Sequence, residues 1–558
     1  MSDTQLSDSS STTVQDSDSK PPLYKRLLNG LSARQVEFEK TLIGSYNGQG
    51  TEISPFLVKF DSNDPYDPMN LAPAKRWLIS ALVAVAALIV TFSSSAYNGG
   101  IGDLIEKFRI SREVAIVGVS LYVLGFAVGP LLWAPLSEIH GRRSVFFFSF
   151  AGMTVFTVGA ACANSMAALL VLRFFAGATG ASVMTNGPGV IADIFSSSQR
   201  GLATGIFAMA PFLGPALGPI IGGFLGEAQG WRWLQGLMAI LSGVITILGT
   251  VFISETYTPV LLRQRAERLS TLTGKLHISA LDADQPPATP GQKLRAALTR
   301  PWIFLFREPI VFIASIYVVI IYGTMYLNFA AYPIVFQRAR GWGVGLGGVA
   351  FVGTAIGVIL ATVAAYFDYK YYIKAQKSKD TLILPPEYRL RSTIVGSFLI
   401  PIGLFWFAWT SQPSIHWIVP IIGSVFFACG LVMVFMSLLN YLIDSYVVFA
   451  ASVMAANSVM RSVFGAAFPL FTIDMYQNLG LQWAGSVPGF LALACIPFPL
   501  IFYKYGARIR MKSRFAAEAA HILDKLMKQS AESKPEAAPP TSTETSNGTH
   551  HANVEEHV

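Results

Sequence analysis

Residues Phe212 to Leu225 read FLGPALGPIIGGFL. Gly214, Gly218 and Gly222 recur every fourth residue, so on a helix they form one stripe without side chains against which another backbone packs closely. Pro215 and Pro219 flank the stripe, and each removes a backbone donor, which bends the helix at that depth. In water such a segment would scarcely hold as a helix. In lipid it holds, because unsatisfied backbone groups are so costly there that the helix persists and the prolines become kinks. Read alone, the stripe is a tight crossing of two helices.

The chain as a whole is made for lipid. Of its 558 residues 52% are hydrophobic and 13% charged, and the mean hydropathy is +0.48, so it is a polytopic membrane protein. Runs long enough to span, at roughly 20 residues each, fall at about Trp77 to Tyr97, Val114 to Leu136, Val145 to Ala163, Met166 to Phe195, Gly201 to Leu225 and Trp233 to Ile253. They resume at about Pro309 to Val335, Gly345 to Tyr366, Thr393 to Trp409, Trp417 to Leu442, Phe449 to Thr472 and Ala484 to Tyr503. The predicted architecture is therefore a disordered cytosolic tail (1–76), a six-helix bundle (77–253), a cytosolic linker (254–308), a second six-helix bundle (309–505) and a disordered cytosolic tail (506–558). Six, linker, six is the layout of a transporter built from parallel repeats around a central cavity. FLGPALGP at Phe212 echoes VFGAAFPL at Val463, at equivalent places in the two sets.

Arg142 and Arg143, Arg200, Arg263, Arg265 and Arg268, Lys370 to Arg391, and Arg508 and Arg510 fall in gaps on one side of the membrane. The positive-inside rule makes that side, and both termini, cytosolic. The net charge of +8 thus orients helices, and no nucleic-acid partner is expected. Cys162, Cys429 and Cys495 each sit in an apolar run, so no disulfide framework is indicated. Tyr24 to Leu42 alternates basic and apolar positions and reads equally as a membrane-surface helix or a solvated one. ETYTPVLLRQRAERL from Glu255 is read as a helix along the inner surface, and DADQPPATPG from Asp282 as flexible.

Several stretches resemble one family. GPxxGPxxGG, which Gly214, Pro215, Gly218, Pro219, Gly222 and Gly223 fill, resembles the antiporter signature in the fifth span of proton-coupled exporters of the major facilitator superfamily. DPYDPMNLAPAKRW, Asp64 to Trp77, looks like the DPxNPxNW segment before the first span of fungal drug:proton antiporters, with Leu71 where tryptophan is usual. GPLLWAPLSEIHGRR, Gly129 to Arg143, resembles the superfamily loop GxLADRxGRK through Leu136, Gly141, Arg142 and Arg143. Ala134, Glu138 and Ile139 depart from that loop as the fungal WAPLSExxGRR variant does, so the implied charge relay runs through Glu138 and Arg142 and not through position 139. Without the resemblance, the loop reads as ordinary inside-positive topology. LRFFAGATGAS at Leu172 is similar to the fourth-span RxxxGxG, with Arg173, Gly177 and Gly180 in place and the second glycine one residue late. In the family that arginine is linked to proton coupling; a side chain snorkelling to the outer surface is the plainer alternative. Asp193 is the implied partner of Arg142. SETYTPVLL and NSVMRSVFGAAFPLF are also similar to the fungal group.

The resemblance implies an all-α membrane protein with a twelve-helix facilitator fold, exporting a small organic compound, a drug or a self-made metabolite or organic acid, in exchange for a proton by alternating access. It implies a monomer in the lipid bilayer with no cofactor beyond the proton gradient. A proton-coupled uptake symporter shares the fold but has no need of FLGPALGPIIGG; a transporter-like sensor or an enzyme would need a folded extension or His and acidic clusters near the spans. Candidate substrate contacts are Asn186, Tyr317, Tyr322, Tyr326, Asn328, Asn440, Asn457 and Met433, with Met436 adding adaptable surface. No span carries a carboxylate at its centre. The fifth span is expected to meet the eighth, with Gly222 near Gly353 in FVGTAIG. Arg461, about a dozen residues into the eleventh span, lies too deep to snorkel and needs a carbonyl, a polar group such as Asn457, or an anionic group from substrate; it reads equally as a pin between the halves.

Overall fold

The computed structural model describes residues 38–519 apart from 40, 43, 62, 197–198, 284–289, 379–383 and 514. Among them, ten helical stretches are long and apolar enough to cross a membrane. Two of these, of 53 and 63 residues, exceed any bilayer and turn back at a glycine: Gly230 has φ 80° and ψ 175°, and Gly480 φ 74° and ψ 172°. Twelve spans result: α1 (Pro73–Ala96), α2 (Arg112–His140), α3 (Arg142–Ala161), α4 (Met166–Ile194), α5 (200–229), α6 (231–252), α7 (Pro309–Tyr332), α8 (Val344–Ser378), α9 (Leu390–Thr410), α10 (Ile418–Tyr446), α11 (450–479) and α12 (481–495, prolonged by Pro497–Lys512). Large apolar side chains such as Phe148, Val155, Ile247 and Phe490 stay exposed on the outside of the bundle, as lipid contact requires.

The stripe on α5 has a different partner from the one expected. A Cβ at Gly214 would meet the Leu88 carbonyl at 2.6 Å, one at Gly218 the Ala96 nitrogen at 2.7 Å and one at Gly222 the Ala96 carbonyl at 2.5 Å, so the stripe lies against α1 within the same half. The neighbouring face reaches α8: a Cβ at Gly223 would stand 2.8 Å from the Val344 carbonyl, and Gly348 of α8 lies against the Pro219 carbonyl. Gly353 and Gly357 face α10 at Ile421 and Val425. A 3.6-residue period puts Gly222 and Gly223 100° apart, so one helix serves two neighbours.

The echo between the halves has a counterpart in packing. Gly465 on α11 lies against Tyr322 of α7, as Gly218 on α5 lies against α1. Below the bundle, the linker forms the helix Thr258–Thr273, as expected, and a second one, Pro290–Arg307, whose polar composition concealed it.

The described parts of both tails, 38–76 and 506–519, are more ordered than their composition suggested. Phe56–Val58 pairs in parallel with His277–Ser279 of the linker, and Asp64 and Glu39 hold Arg265 and Arg268. The partners lie some 200 residues away in sequence, so local polarity reads as disorder while the paired segments do not behave so. At the other end, helix continues to Lys512 and Arg510 takes Glu387 at 2.8 Å. Residues 1–37 and 520–558, with most of the surface-helix expectation, lie outside the described residues.

Alanine at Gly222 has backbone in its way and should cost roughly 1–3 kcal/mol. At Gly236 of α6, where a Cβ meets nothing within 4 Å, alanine should be neutral or stabilising. Melting temperatures of the detergent-solubilised variants check this; equal shifts would remove the close contact.

Candidate transport site and its latches

The tight return between α2 and α3 turns at Gly141, whose φ of 90° suits glycine and whose Cα faces the Glu255 carboxylate. Glu255 caps α3: its oxygens accept the Arg142 N–H at 2.9 Å and the Arg143 N–H at 3.2 Å, and also those of Thr256 and Tyr257. Arg142 thereby points at the end of α4. Its Nε donates to Asp193 at 3.3 Å, its Nη1 to Ser137 at 2.6 Å and to Asn186 at 3.4 Å, and its guanidinium lies 4.6 Å over the Tyr257 ring. Arg143 donates to the Thr250 carbonyl of α6. Glu138 is exposed and stands outside this set of bonds, and the carboxylate that accepts the Arg142 N–H is Glu255.

The carboxy half repeats the device. Arg389 donates to Asp444 at the end of α10 at 2.9 Å, with its guanidinium 3.9 Å over Tyr372. An arginine at the start of the third span, an aspartate near the end of the fourth, and a tyrosine face thus recur in both halves.

Arg173 is buried at 2% exposure on α4 and does not snorkel. Its Nε donates to the Gly118 carbonyl at 2.7 Å, Nη2 reaches the Ser93 and Ser94 carbonyls at 3.4 Å, and Tyr97 and Tyr122 cover its two faces at 4.1 and 4.9 Å. It ties α1, α2 and α4 together inside the amino half.

The halves meet in layers. At mid-depth Phe212 of α5 touches Phe435 of α10, ring centroids 4.8 Å apart, and Arg461 lies 5.0 and 5.2 Å over Tyr322 and Phe435. One turn farther from the basic end than Tyr322, Ser94 of α1 bonds Tyr326 of α7 at 3.1 Å. Farther still, Glu227 at the end of α5 accepts the Gly345 N–H of α8 at 2.7 Å. At the basic end the Tyr369 ring of α8 rests on Gly201 of α5.

A family model, Major Facilitator Superfamily, matches residues 83–469. The chain belongs to this superfamily. It is 60% identical over 482 residues to the efflux pump FUB11 of Gibberella moniliformis, covering 86% of this chain and 81% of the pump. It is 52% identical over 500 residues to the major facilitator superfamily multidrug transporter mdrA of Aspergillus fumigatus, covering 90% of this chain and 82% of that transporter. The proton:xylose symporter XylE, bound to 6-bromo-6-deoxy-D-glucose, shares the fold with a TM-score of 0.55 at 16% identity, over 77% of this chain and 96% of XylE. The resemblance to fungal efflux transporters of the superfamily therefore holds, and the protein is a multi-pass membrane protein of all-α facilitator fold.

Within that fold the expected substrate contacts separate. Tyr322 and Tyr326 lie at the seam between the halves. Asn186 belongs to the Arg142 latch, and Asn457 donates to Ser315 at 3.3 Å between α11 and α7. Tyr317 is buried near Ser397 and Cys495, and Met433 faces α9 at Gly396, both inside the carboxy half. Asn328 is buried on α7 and Asn440 exposed on α10. Sequence reasoning missed Phe212 and Phe435 because single aromatics in apolar runs look like packing, and missed Asp444 because no signature marks it.

Arg142→Gln, Asp193→Asn and their double variant should show a coupling of about 0.5–3 kcal/mol in unfolding free energy. A coupling of zero would dissolve the pair.

Proposed function

We propose that the protein is a proton-driven antiporter that exports a small organic compound, a toxic drug or a self-made metabolite, across the plasma membrane. Its basic end faces the cytosol, as the positive-inside rule asks, and it works as a monomer with no cofactor beyond the proton gradient. The observation that carries the reading is the seam between the halves, a mid-depth cation and aromatic layer closed on one side by Ser94 with Tyr326 and Glu227 with Gly345. Each closure is one or two hydrogen bonds, small enough for ligand and proton binding to shift the balance between two states. Alternating access is then a rocking of the halves about that layer. The close relationship to FUB11 and mdrA, named as an efflux pump and a multidrug transporter, supports export over uptake.

Reconstituted protein tested against a labelled panel of azoles and aromatic acids should move at least one of them against its gradient when protons run the opposite way. An uncoupler should stop it. Dependence on ATP, or equal movement without a proton gradient, would overturn the reading.

A further inference from the structure

Two arginines stand at mid-span in the helices around the seam, Arg173 buried and bonded to backbone carbonyls, Arg461 half-buried with a hydrogen bond on its own helix. Arg173 spends its donors on three carbonyls. Arg461 has five N–H donors, and its hydrogen bond runs from Nη2 to the Ser458 hydroxyl one turn back on its own helix, at 3.4 Å. Among the described residues no carboxylate lies within ion-pair distance of it. Asn457, a partner the sequence offered, is turned toward Ser315. Tyr322 and Phe435 give it ring faces, which attract a cation but accept no N–H in the plane of its fork.

Its position adds to this. Arg461 lies about 16 Å into α11, near the middle of a hydrocarbon layer of about 30 Å. There an unanswered charge costs about 2.5–3.5 kcal/mol even on the mildest scale and marks a functional group. The guanidinium is half-buried, and the Phe435 ring it covers touches Phe212 of the other half, so it stands at the seam that must part during transport. A pin between the halves would bond across them; the hydrogen bond of Arg461 stays on its own helix.

We propose that Arg461 is the anchor for the substrate and that the compound carried is a small, flat organic monoanion, an aromatic carboxylate in chemistry. The carboxylate takes the guanidinium fork in bidentate fashion, and the ring packs against Tyr322 and Phe435 as Phe212 of the other half withdraws. One cation answers one negative charge, and the aromatic walls exclude a second. A cationic compound of the same shape meets like charge at mid-membrane and is rejected. This rests on the export reading above and gives it a substrate class.

The test uses three probes of one shape in proteoliposomes: 1-naphthoate, 1-naphthalenemethanol and 1-naphthylmethylamine. Wild-type protein should move naphthoate at least about tenfold better than the alcohol or the amine, a preference worth roughly one factor of ten in binding. Arg461→Gln should drop naphthoate to the level of the alcohol, and Arg461→Lys should keep the preference with weakened affinity, since lysine retains the charge and loses the fork. Elution as a single species checks that each variant folds; should Arg461→Gln not fold, the preference of the wild type and of Arg461→Lys decides. Full naphthoate transport by a folded Arg461→Gln, or a wild-type preference for the alcohol or amine, overturns the anchor and leaves the export reading standing. Movement of none of the three overturns the substrate class, and the azoles of the earlier panel then judge export separately.

Discussion

Along α5 the backbone of one helix lies against that of two others, α1 at Gly214, Gly218 and Gly222 and α8 at Pro219 and Gly223, and the rest of the molecule is arranged around that double contact. In lipid there is no hydrophobic gain from bringing helices together, so close packing of small residues and polar contacts must supply the attraction. The α1 side joins elements of one half and is lined by carbonyls and amides at distances no side chain tolerates. The α8 side joins the two halves and carries one charged contact, Glu227 with the Gly345 N–H. Both faces are close backbone contacts, one within the amino half and one between the halves. The prolines contribute by removing donors on α5, which keeps the segment pliable where it slides.

Buried cations show how differently the chain treats charge by location. In the polar layer of linker and amino arm, Arg265 is buried yet meets two carboxylates, Asp64 at 2.5 Å and Glu39 at 3.6 Å. Arg142 at the basic end meets one, Asp193, and shares a tyrosine face. Arg173 at mid-span meets none and relies on carbonyls that the α1 and α2 backbones release to it. Removing a partner from a buried pair commonly costs about 3–5 kcal/mol, so the first two are fixed structures. Carbonyls on two neighbouring helices satisfy an arginine just as firmly while leaving no carboxylate whose protonation would release it.

Much of this was legible in the residues. Hydropathy placed twelve spans, and Gly230 and Gly480, which break the two longest helices, fall in the gaps it left. The family resemblance implied Asp193 as the partner of Arg142, and the two stand 3.3 Å apart. Three features were not legible, each for a physical reason. The partner of the glycine stripe depends on which 100° sector of α5 faces which helix, and that is decided by the whole bundle. The amino arm reads as disordered because its order depends on Arg265 and His277–Ser279, far along the chain. Glu255 looked like the start of a surface helix, since a carboxylate that caps the next helix over has no local signature.

The repeated latch constrains how the halves can move. Arg142 and Asp193 both belong to the amino half, and Arg389 and Asp444 both to the carboxy half, so neither pair links one half to the other. Each instead fixes the short return before its third helix to the end of its fourth, which makes the basic end of each half a rigid block. Contacts between the blocks include a tyrosine ring on a glycine at the basic end, two aromatic rings at mid-depth, and one hydroxyl pair and one capped amide toward the far end, beside the close approach of α5 and α8 at Pro219 and Gly223. Among the described residues no ion pair joins one half to the other. In the proposed alternating-access cycle, a neutral hydrogen bond across the seam contributes only about 0.5–1.5 kcal/mol to holding it closed, and the Glu227 contact somewhat more.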